Sequence, residues 1–514
     1  MSAIADGTDT PKALAQYQLA FNGFAAKLTP AQAKTLSQTE GVKKVRRDTL
    51  HKLNAYVGPA TIGAPQMWDG TETSSGSDVL GEGMVVAVLD TGINTDHPSF
   101  AATGDDGYAH TNPLGSGNYL GDCAGSYPAL CNDKLIGVYS YPAIVNAYSD
   151  TDIFPSGLPE NGEDYNGHGS HVAATAAGNI LYNVAEVIPD YDQTVSDGVE
   201  TGYIFEEVSG VAPHANIISY QVCYPGEDDD TYTGCLESVM LDAVEDIIDS
   251  GIVDAVNMSI SGGDFPWDGP LNRAWLNAHN AGIFVAQSAG NDGPDDATTD
   301  KHAPWMTAVA ATSHGISVSY EKSITNFSGG SYTPAAIQGF SNTGSITADI
   351  VYAGDFPNGN DPSGDPGQCL EPYPAGTFSG QIVVCDRGDI ARIQKAKNVA
   401  EGGAAGFVLA NVQGGENFLA NDAYVVPGIH IDADAGDALK QWLASGSGHR
   451  VTITEATAEV VTDETTADKL ADFSSRGPNS SISTLSPVIS APGVEIYAAW
   501  ADEHYGHEES GPAP

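Results

Sequence analysis

A candidate general base stands in the stretch NGHGSHVAATAAG, from Asn166 to Gly178. His168 lies there between two glycines, which leave room for a closely approaching backbone. The small residues Val172 to Ala177 predict a tightly packed helix, with His168 on its first turn. A single histidine is weak evidence for catalysis, so the residues that the fold brings to it decide the interpretation.

An acid and an amide follow two apolar runs of the kind that buried parallel strands require. Asp90 ends the run Met84 to Leu89, and Asn291 follows the run Gly282 to Gln287. Because open parallel sheets place their ligand crevice at the carboxyl ends of the strands, Asp90, His168 and Asn291 can meet there. Their order along the chain is acid, histidine, amide donor.

Four motifs around these residues resemble those of the subtilases, the subtilisin-like serine proteases, in the same order along the chain. They are VVAVLDTGI at Asp90, NGHGSHVA at His168, NMSISGG at Asn257 to Gly263 and SAGNDGP at Asn291. The stretches CNDKLIG, GVAPHANIISYQVC and FSSRGPN further resemble the plant cucumisin and pyrolysin type. The resemblance runs from about Ala20 to Trp500.

The resemblance implies an α/β fold with a subtilisin-like parallel sheet in a three-layer α/β/α core, and peptide hydrolysis by an Asp-His-Ser triad. In such a site His168 is the base, Asp90 orients it, and Asn291 donates its side-chain amide to the oxyanion. A further family segment pairs in β fashion with extended substrate, and the residues that match it are Ser259, Ile260, Ser261 and Gly262.

Three other candidates near these motifs are set aside. His171 and His97 are predicted to have structural roles. Asp96 is a poorer triad member than Asp90 because it lies beyond the turn that follows the strand.

The nucleophile of the triad is missing from the sequence. In the family, the segment matched by Ser486 to Ala499 is soon followed by Gly-Thr-Ser-Met-Ala, which carries the catalytic serine. No such motif occurs before Pro514, and Ser474 and Ser475 belong to a different family motif. We therefore expect a fragment without measurable peptidase activity of its own. The alternative is a non-catalytic binding or regulatory chain that keeps the subtilase scaffold.

The resemblance also predicts three regions. Residues 12–52 resemble part of an inhibitor-type propeptide, an α+β unit whose helix begins at Thr29-Pro30. Residues 58–333 and 468–514 are expected to form the catalytic domain. Residues 334–456 resemble the inserted β-rich protease-associated domain, which is non-catalytic.

The charge balance excludes two classes of partner. The 67 acidic and 20 basic side chains give a formal net charge of -47, which repels nucleic acid and anionic membranes. Protein or peptide substrates and the chain's own propeptide remain as expected partners. No apolar run reaches the ~18 residues of a membrane span, and Met1 to Pro11 lacks a signal-peptide profile. The family resemblance nevertheless implies secretion.

The six cysteines form three pairs along the sequence: Cys123 with Cys131, Cys223 with Cys235, and Cys369 with Cys385. Local pairing is the simplest of the connectivities that six cysteines allow, and the spacing in plant-type relatives implies it for the first two. An even number favours an oxidising compartment. No Cys-x-x-Cys or Cys/His cluster predicts a metal site, and no cofactor is expected. The acidic run Glu227 to Asp230 lacks a calcium-loop pattern, so structural calcium has no assignable ligands.

Overall fold

The computed structural model describes residues 13–17, 23–39, 41–42, 45, 58–188, 198–226, 231–260, 266–267, 269–388, 390, 392–415, 419–463 and 465–503. The chain divides into two compact units, Met1–Asn54 and Ala55–Pro514. In the described part, no helix is both long and apolar enough to cross a membrane.

The first unit contains an antiparallel strand pair and a helix: β1 (Ala13–Tyr17), β2 (Gly23–Ala26) and α1 (Pro30–Ser37). The predicted start of the helix is confirmed. The Thr29 hydroxyl accepts the Gln32 amide N–H, and the Gln32 side chain accepts the Thr29 amide N–H, which satisfies two amide donors at the helix end. Pro30 fits the first turn because its missing N–H would have no helical partner.

The second unit contains the remaining elements, numbered in chain order. Its strands are β3 (Val85–Asp90), β4 (Leu120–Gly121), β5 (Leu135–Tyr139), β6 (Leu181–Ile188), β7 (Val199–Val208), β8 (Asn216–Gln221), β9 (Ala255–Met258), β10 (Phe284–Ser288), β11 (Thr307–Thr312), β12 (Ile316–Ser328), β13 (Ile337–Phe340), β14 (Ile346–Tyr352), β15 (Ile382–Asp386), β16 (Gly406–Ala410), β17 (Gly428–Ile431), β18 (Arg450–Ile453), β19 (Thr457–Thr462) and β20 (Ile489–Pro492). Its helices are α2 (Gly58–Thr61), α3 (Ala64–Trp68), α4 (Pro142–Val145), α5 (His168–Ala177), α6 (Glu237–Ser250), α7 (Pro270–Asn280), α8 (Arg392–Glu401) and α9 (Ala433–Leu443).

The main sheet has eight strands in the order β20-β11-β10-β9-β3-β8-β5-β4, and every neighbouring pair is parallel. Successive residues of a strand point to opposite faces. On β3, Ala87 and Leu89 pack in the cluster that includes α6 and α7, whereas Val88 packs with α5. Helices therefore cover both faces, and the predicted three-layer α/β/α core is confirmed.

The strand register fixes which residues leave the sheet together. Leu89 of β3 stands level with Met258 of β9, and Met258 stands level with Gln287 of β10. The next residues, Asp90, Ser259 and Ser288, consequently lie along one carboxyl edge.

The second sheet has the order β13-β17-β16-β15-β14-β18-β12-β19, and β12 also pairs with β13, which closes these strands into a barrel. The neighbours from β14 to β17 are parallel. Helix α9 packs on one face through Leu439 and Trp442, and α8 packs on the other through Ile393, Ala396 and Val399. Strands β12 and β19 lie before and after the predicted insertion 334–456 in the sequence. The second sheet therefore includes residues on both sides of that range.

The chain enters and leaves the second sheet at one narrow place. The Ser313 amide donates to Lys469 O at 2.9 Å, and the Asp463 amide donates to Gly315 O at 2.8 Å. All three predicted disulfides are present, linking Cys123 with Cys131, Cys223 with Cys235, and Cys369 with Cys385.

Candidate active site

Asp90 ends the central strand β3, and its side chain is only 2% exposed. Its Oδ1 accepts the Thr91 amide N–H at 2.8 Å and lies 2.7 Å from His168 Nδ1. Oδ2 is also buried, and it has no hydrogen-bond partner among the described residues. The carboxylate is therefore held at the sheet edge in a position where it accepts a hydrogen bond from the His168 ring.

His168 is the first residue of α5, and half of its side chain is exposed, at 50%. Because Asp90 accepts the Nδ1–H, the basic nitrogen of the ring is Nε2. When Nε2 takes a proton, the ring becomes an imidazolium that the buried carboxylate stabilises. The pair can therefore perform general acid-base chemistry at the carboxyl edge of the sheet.

The glycines on either side of His168 are required by close contacts. Gly167 has a φ of +108°, and a Cβ there would lie 2.3 Å from Cε2 of Trp500. A Cβ on Gly169 would lie 2.3 Å from the carbonyl oxygen of Gly92. The predicted close approach of the backbone is thus confirmed at Gly169, and these contacts fix the start of α5 against Trp500 and the turn after β3.

A buried carboxylate that sequence reasoning missed organises the start of α5. Asp164 is fully buried and accepts hydrogen bonds through both of its carboxylate oxygens. The donors are Thr91 Oγ1 at 2.9 Å, the amides of Asn166 and Gly167 at 3.0 Å each, and the amide and hydroxyl of Ser170 at 2.9 and 2.6 Å. The carboxylate accepts hydrogen bonds from amides near the N-terminus of α5. Its negative charge is also favourable there, because it lies near the positive end of the helix dipole. The signal that the sequence offered for this role was Asp164 itself, an acidic residue shortly before the motif NGHGSH.

The residue before Asp164, Glu163, is a second, half-buried carboxyl. Burial raises the pKa of Glu163 to about 8, and the charges of Asp502 and Asp164 act in the same direction. Hydrogen bonds from the amide and hydroxyl of Thr95, at 2.8 and 2.7 Å, oppose this rise in pKa.

Three neighbouring candidates occupy other positions. Burial lowers the pKa of His171, and its Nε2 lies 3.0 Å from the carbonyl oxygen of Ile496. Burial also lowers the pKa of His97 to about 4, and its Nδ1 accepts the Ser99 amide N–H at 3.1 Å. Asp96 is exposed, beyond the turn that follows β3.

Asn291 lies three residues beyond the end of β10, at the same sheet edge as Asp90, and it is exposed. Only β9 lies between β3 and β10, so the carboxyl ends of β3 and β10 are about 10 Å apart, or two strand spacings. The structure thus places the amide on the same edge as the Asp90–His168 pair.

The predicted substrate-binding segment follows the carboxyl end of β9, the strand that lies between β3 and β10. Ser259 and Ile260 are half-buried, and the side-chain amide Nδ2 of Asn257 donates to Ser259 Oγ at 2.9 Å. Ser261 and Gly262 lie outside the described residues.

Among the residues that the structure describes, no group of three or more His, Cys, Asp or Glu side chains is arranged to hold a metal ion. The acidic run Glu227 to Asp230 lies outside them.

A central parallel sheet covered on both faces, with an acid-histidine pair at its carboxyl edge, is typical of a peptidase of the subtilisin type. The chain belongs to the subtilase family, whose model matches residues 81–512, and a model of the peptidase inhibitor I9 matches residues 2–54. The family predicted from the four motifs is confirmed.

The chain is similar to several subtilisin-like proteases of Arabidopsis thaliana. It is 29% identical to SBT1.4 over 95% of this chain and 58% of that protein, and 31% identical to SBT5.4 over 95% and 59%. It thus spans about three fifths of the length of these relatives. Among solved structures, the psychrophilic subtilisin-like protease Apa1 from the Antarctic psychrotroph Pseudoalteromonas sp. AS-11 matches with 18% identity and a TM-score of 0.33, over 80% of this chain and 84% of that one.

Proposed function

We propose that this chain carries the base, the orienting acid and the oxyanion donor of a secreted serine endopeptidase. The observation that supports it best is the 2.7 Å contact between Asp90 Oδ1 and His168 Nδ1 at the carboxyl edge of the sheet. Asn291 stands at the same edge. Three disulfides among the described residues suit an oxidising, extracellular setting.

The catalytic step assigns one role to each group. The hydroxyl of a serine attacks the peptide carbonyl carbon, and its proton passes to Nε2 of His168. Asp90 stabilises the resulting imidazolium. The Asn291 amide donates to the oxyanion of the tetrahedral intermediate, and His168 then returns the proton to the leaving amine. Ser259 to Gly262 pairs with the extended substrate.

The serine comes from a Gly-Thr-Ser-Met-Ala segment in the family, and residues 1–514 contain no such motif. This polypeptide alone therefore has no measurable peptidase activity under the proposal. The region matched by the I9 model acts as an inhibitor of the same enzyme, and the region 334–456 is a protease-associated domain outside the chemistry.

The test is hydrolysis of a short peptide by a version extended through a Gly-Thr-Ser-Met-Ala segment. Asp90→Asn should lower kcat by about 10⁴-fold, and His168→Ala by about 10⁶-fold. His171→Ala is the matched control, because His171 lies on the same helix but binds Ile496 instead of Asp90. An extended enzyme that keeps its activity without His168 would refute the assignment.

A further inference from the structure

The motif FSSRGPN has no assigned role in the proposed chemistry, yet the structure places it against the loop that carries Asn291. We propose that Ser475 is a positioning residue that holds Asn291 in place for oxyanion binding. This inference rests on the proposed role of Asn291.

Ser475 contacts the backbone on both sides of Asn291. Its amide N–H donates to Gly290 O at 2.9 Å, and its Oγ accepts the Asp292 amide N–H at 3.0 Å. The Gly293 amide, one residue further, donates to Phe473 O at 2.8 Å. The peptide groups next to Asn291 are thus fixed by one segment, while the side chain of Asn291 remains exposed.

The two loops are packed so closely that neither Gly290 nor Gly293 has room for a side chain. Ser475 is fully buried, at 0% exposure. Gly290 has a φ of +99°, and a Cβ there would lie 2.7 Å from Ser475 Oγ. A Cβ on Gly293 would lie 2.2 Å from the carbonyl oxygen of Asp472. Backbone contacts of this kind hold a catalytic amide in one position before the reaction begins, which is the condition for effective oxyanion stabilisation.

The adjacent serine provides a matched control. Ser474 is also buried, at 1% exposure, and its Oγ also accepts a backbone amide N–H at 3.0 Å, from Ala311 of β11. Removal of either hydroxyl leaves one part-buried backbone amide without its acceptor, so the two losses of stability should be similar. Of these two serine hydroxyls, that of Ser475 contacts the Asn291 loop and that of Ser474 contacts β11.

The first experiment uses residues 1–514 and measures hydrogen exchange of the Asp292 amide with single-residue resolution. This amide should be protected in the wild type, and Ser475→Ala should speed its exchange by about tenfold, whereas Ser474→Ala should not. Fast exchange in the wild type would overturn the inference even if Ser475→Ala does not fold.

The second experiment measures peptide hydrolysis by the version extended through a Gly-Thr-Ser-Met-Ala segment. Ser475→Ala should lower kcat by about 10- to 100-fold with KM unchanged, because a small displacement of a catalytic group is costly. Ser474→Ala should leave kcat near that of the wild type. Added to Asn291→Ala, which alone should cost about 10²- to 10³-fold, Ser475→Ala should have little further effect.

The outcomes separate the two proposals. If Asn291→Ala leaves kcat unchanged, the proposed oxyanion role is wrong and the positioning role is lost with it. If Asn291→Ala lowers kcat but Ser475→Ala does not, or if the two effects multiply, only the positioning role is refuted.

Discussion

The most quantitative prediction concerns Lys134, a completely buried lysine just before β5. Its Nζ donates to the carbonyl oxygens of Pro213 and Ala215 at 2.9 and 3.0 Å. Burial lowers its pKa from 10.5 to about 7, and the charge of Asp106 opposes this shift. The perturbation is Lys134→Met, which removes the titrating group and keeps most of the side-chain volume.

The stability of the protein changes with pH because the native and unfolded chains bind the Lys134 proton differently. The unfolded chain keeps the lysine proton up to about pH 10.5, whereas the native protein releases it above about pH 7. The contribution of Lys134 to stability therefore becomes more favourable as the pH rises between these values. A difference in pKa between 10.5 and about 7 corresponds to about 5 kcal/mol over the whole window, of which about 2.5 kcal/mol falls between pH 6 and pH 9.

The assay is urea-induced unfolding followed by tryptophan fluorescence at pH 6, 7, 8 and 9. The free energy of unfolding of the wild type minus that of Lys134→Met should rise by about 2.5 kcal/mol from pH 6 to pH 9. Lys469→Met is the control, because it makes the same substitution at an exposed lysine. Parallel pH profiles for the wild type and Lys134→Met would refute the reasoning.

Three further predictions concern other parts of the chain. If a short linker joins Gly315 to Asp463 in the extended enzyme, removing the second sheet should leave short-peptide hydrolysis intact, and its loss in a folded protein would show that this sheet shapes the site. Replacing Cys369 and Cys385 together by serine should lower the free energy of unfolding by about 3 kcal/mol in denaturant titrations, and an unchanged midpoint would contradict this. Glu163 binds its proton more tightly in the native protein than in the unfolded chain, so Glu163→Gln should stabilise the protein more at pH 8 than at pH 5. The measurement is thermal unfolding, and equal shifts of Tm at the two pH values would count against the raised pKa.

Local patterns in the sequence predicted the core strands well. The apolar runs that end near Asp90 and before Asn291 both form parallel strands of the main sheet, β3 and β10, with β9 between them. Strand β3 is buried along most of its length, whereas Phe284 at the start of β10 is 54% exposed. The glycines around His168 were informative for a similar reason, since contacts with Trp500 and Gly92 exclude any side chain there.

These local patterns did not reveal contacts between residues that are far apart in the sequence. Asp164 is one of many acidic residues in a chain of net charge -47, so its type alone did not distinguish it from a solvated carboxylate. The barrel closure by β12 and β13 depends on pairing outside the predicted insertion, which composition could not reveal. Likewise, Ser475 lies 183 positions from Asp292, the neighbour of Asn291, and only the fold brings the two segments together.

The most direct test of the proposed triad is labelling with a fluorophosphonate probe, which reacts only with an activated serine. The version extended through a Gly-Thr-Ser-Met-Ala segment should be labelled stoichiometrically, and His168→Ala should abolish the labelling because the serine then loses its base. Residues 1–514 alone should remain unlabelled. Stoichiometric labelling of residues 1–514 would mean that a serine within this chain is the nucleophile. Labelling of the extended version that survives His168→Ala would contradict the assignment of Asp90 and His168 as the acid and base of a serine peptidase.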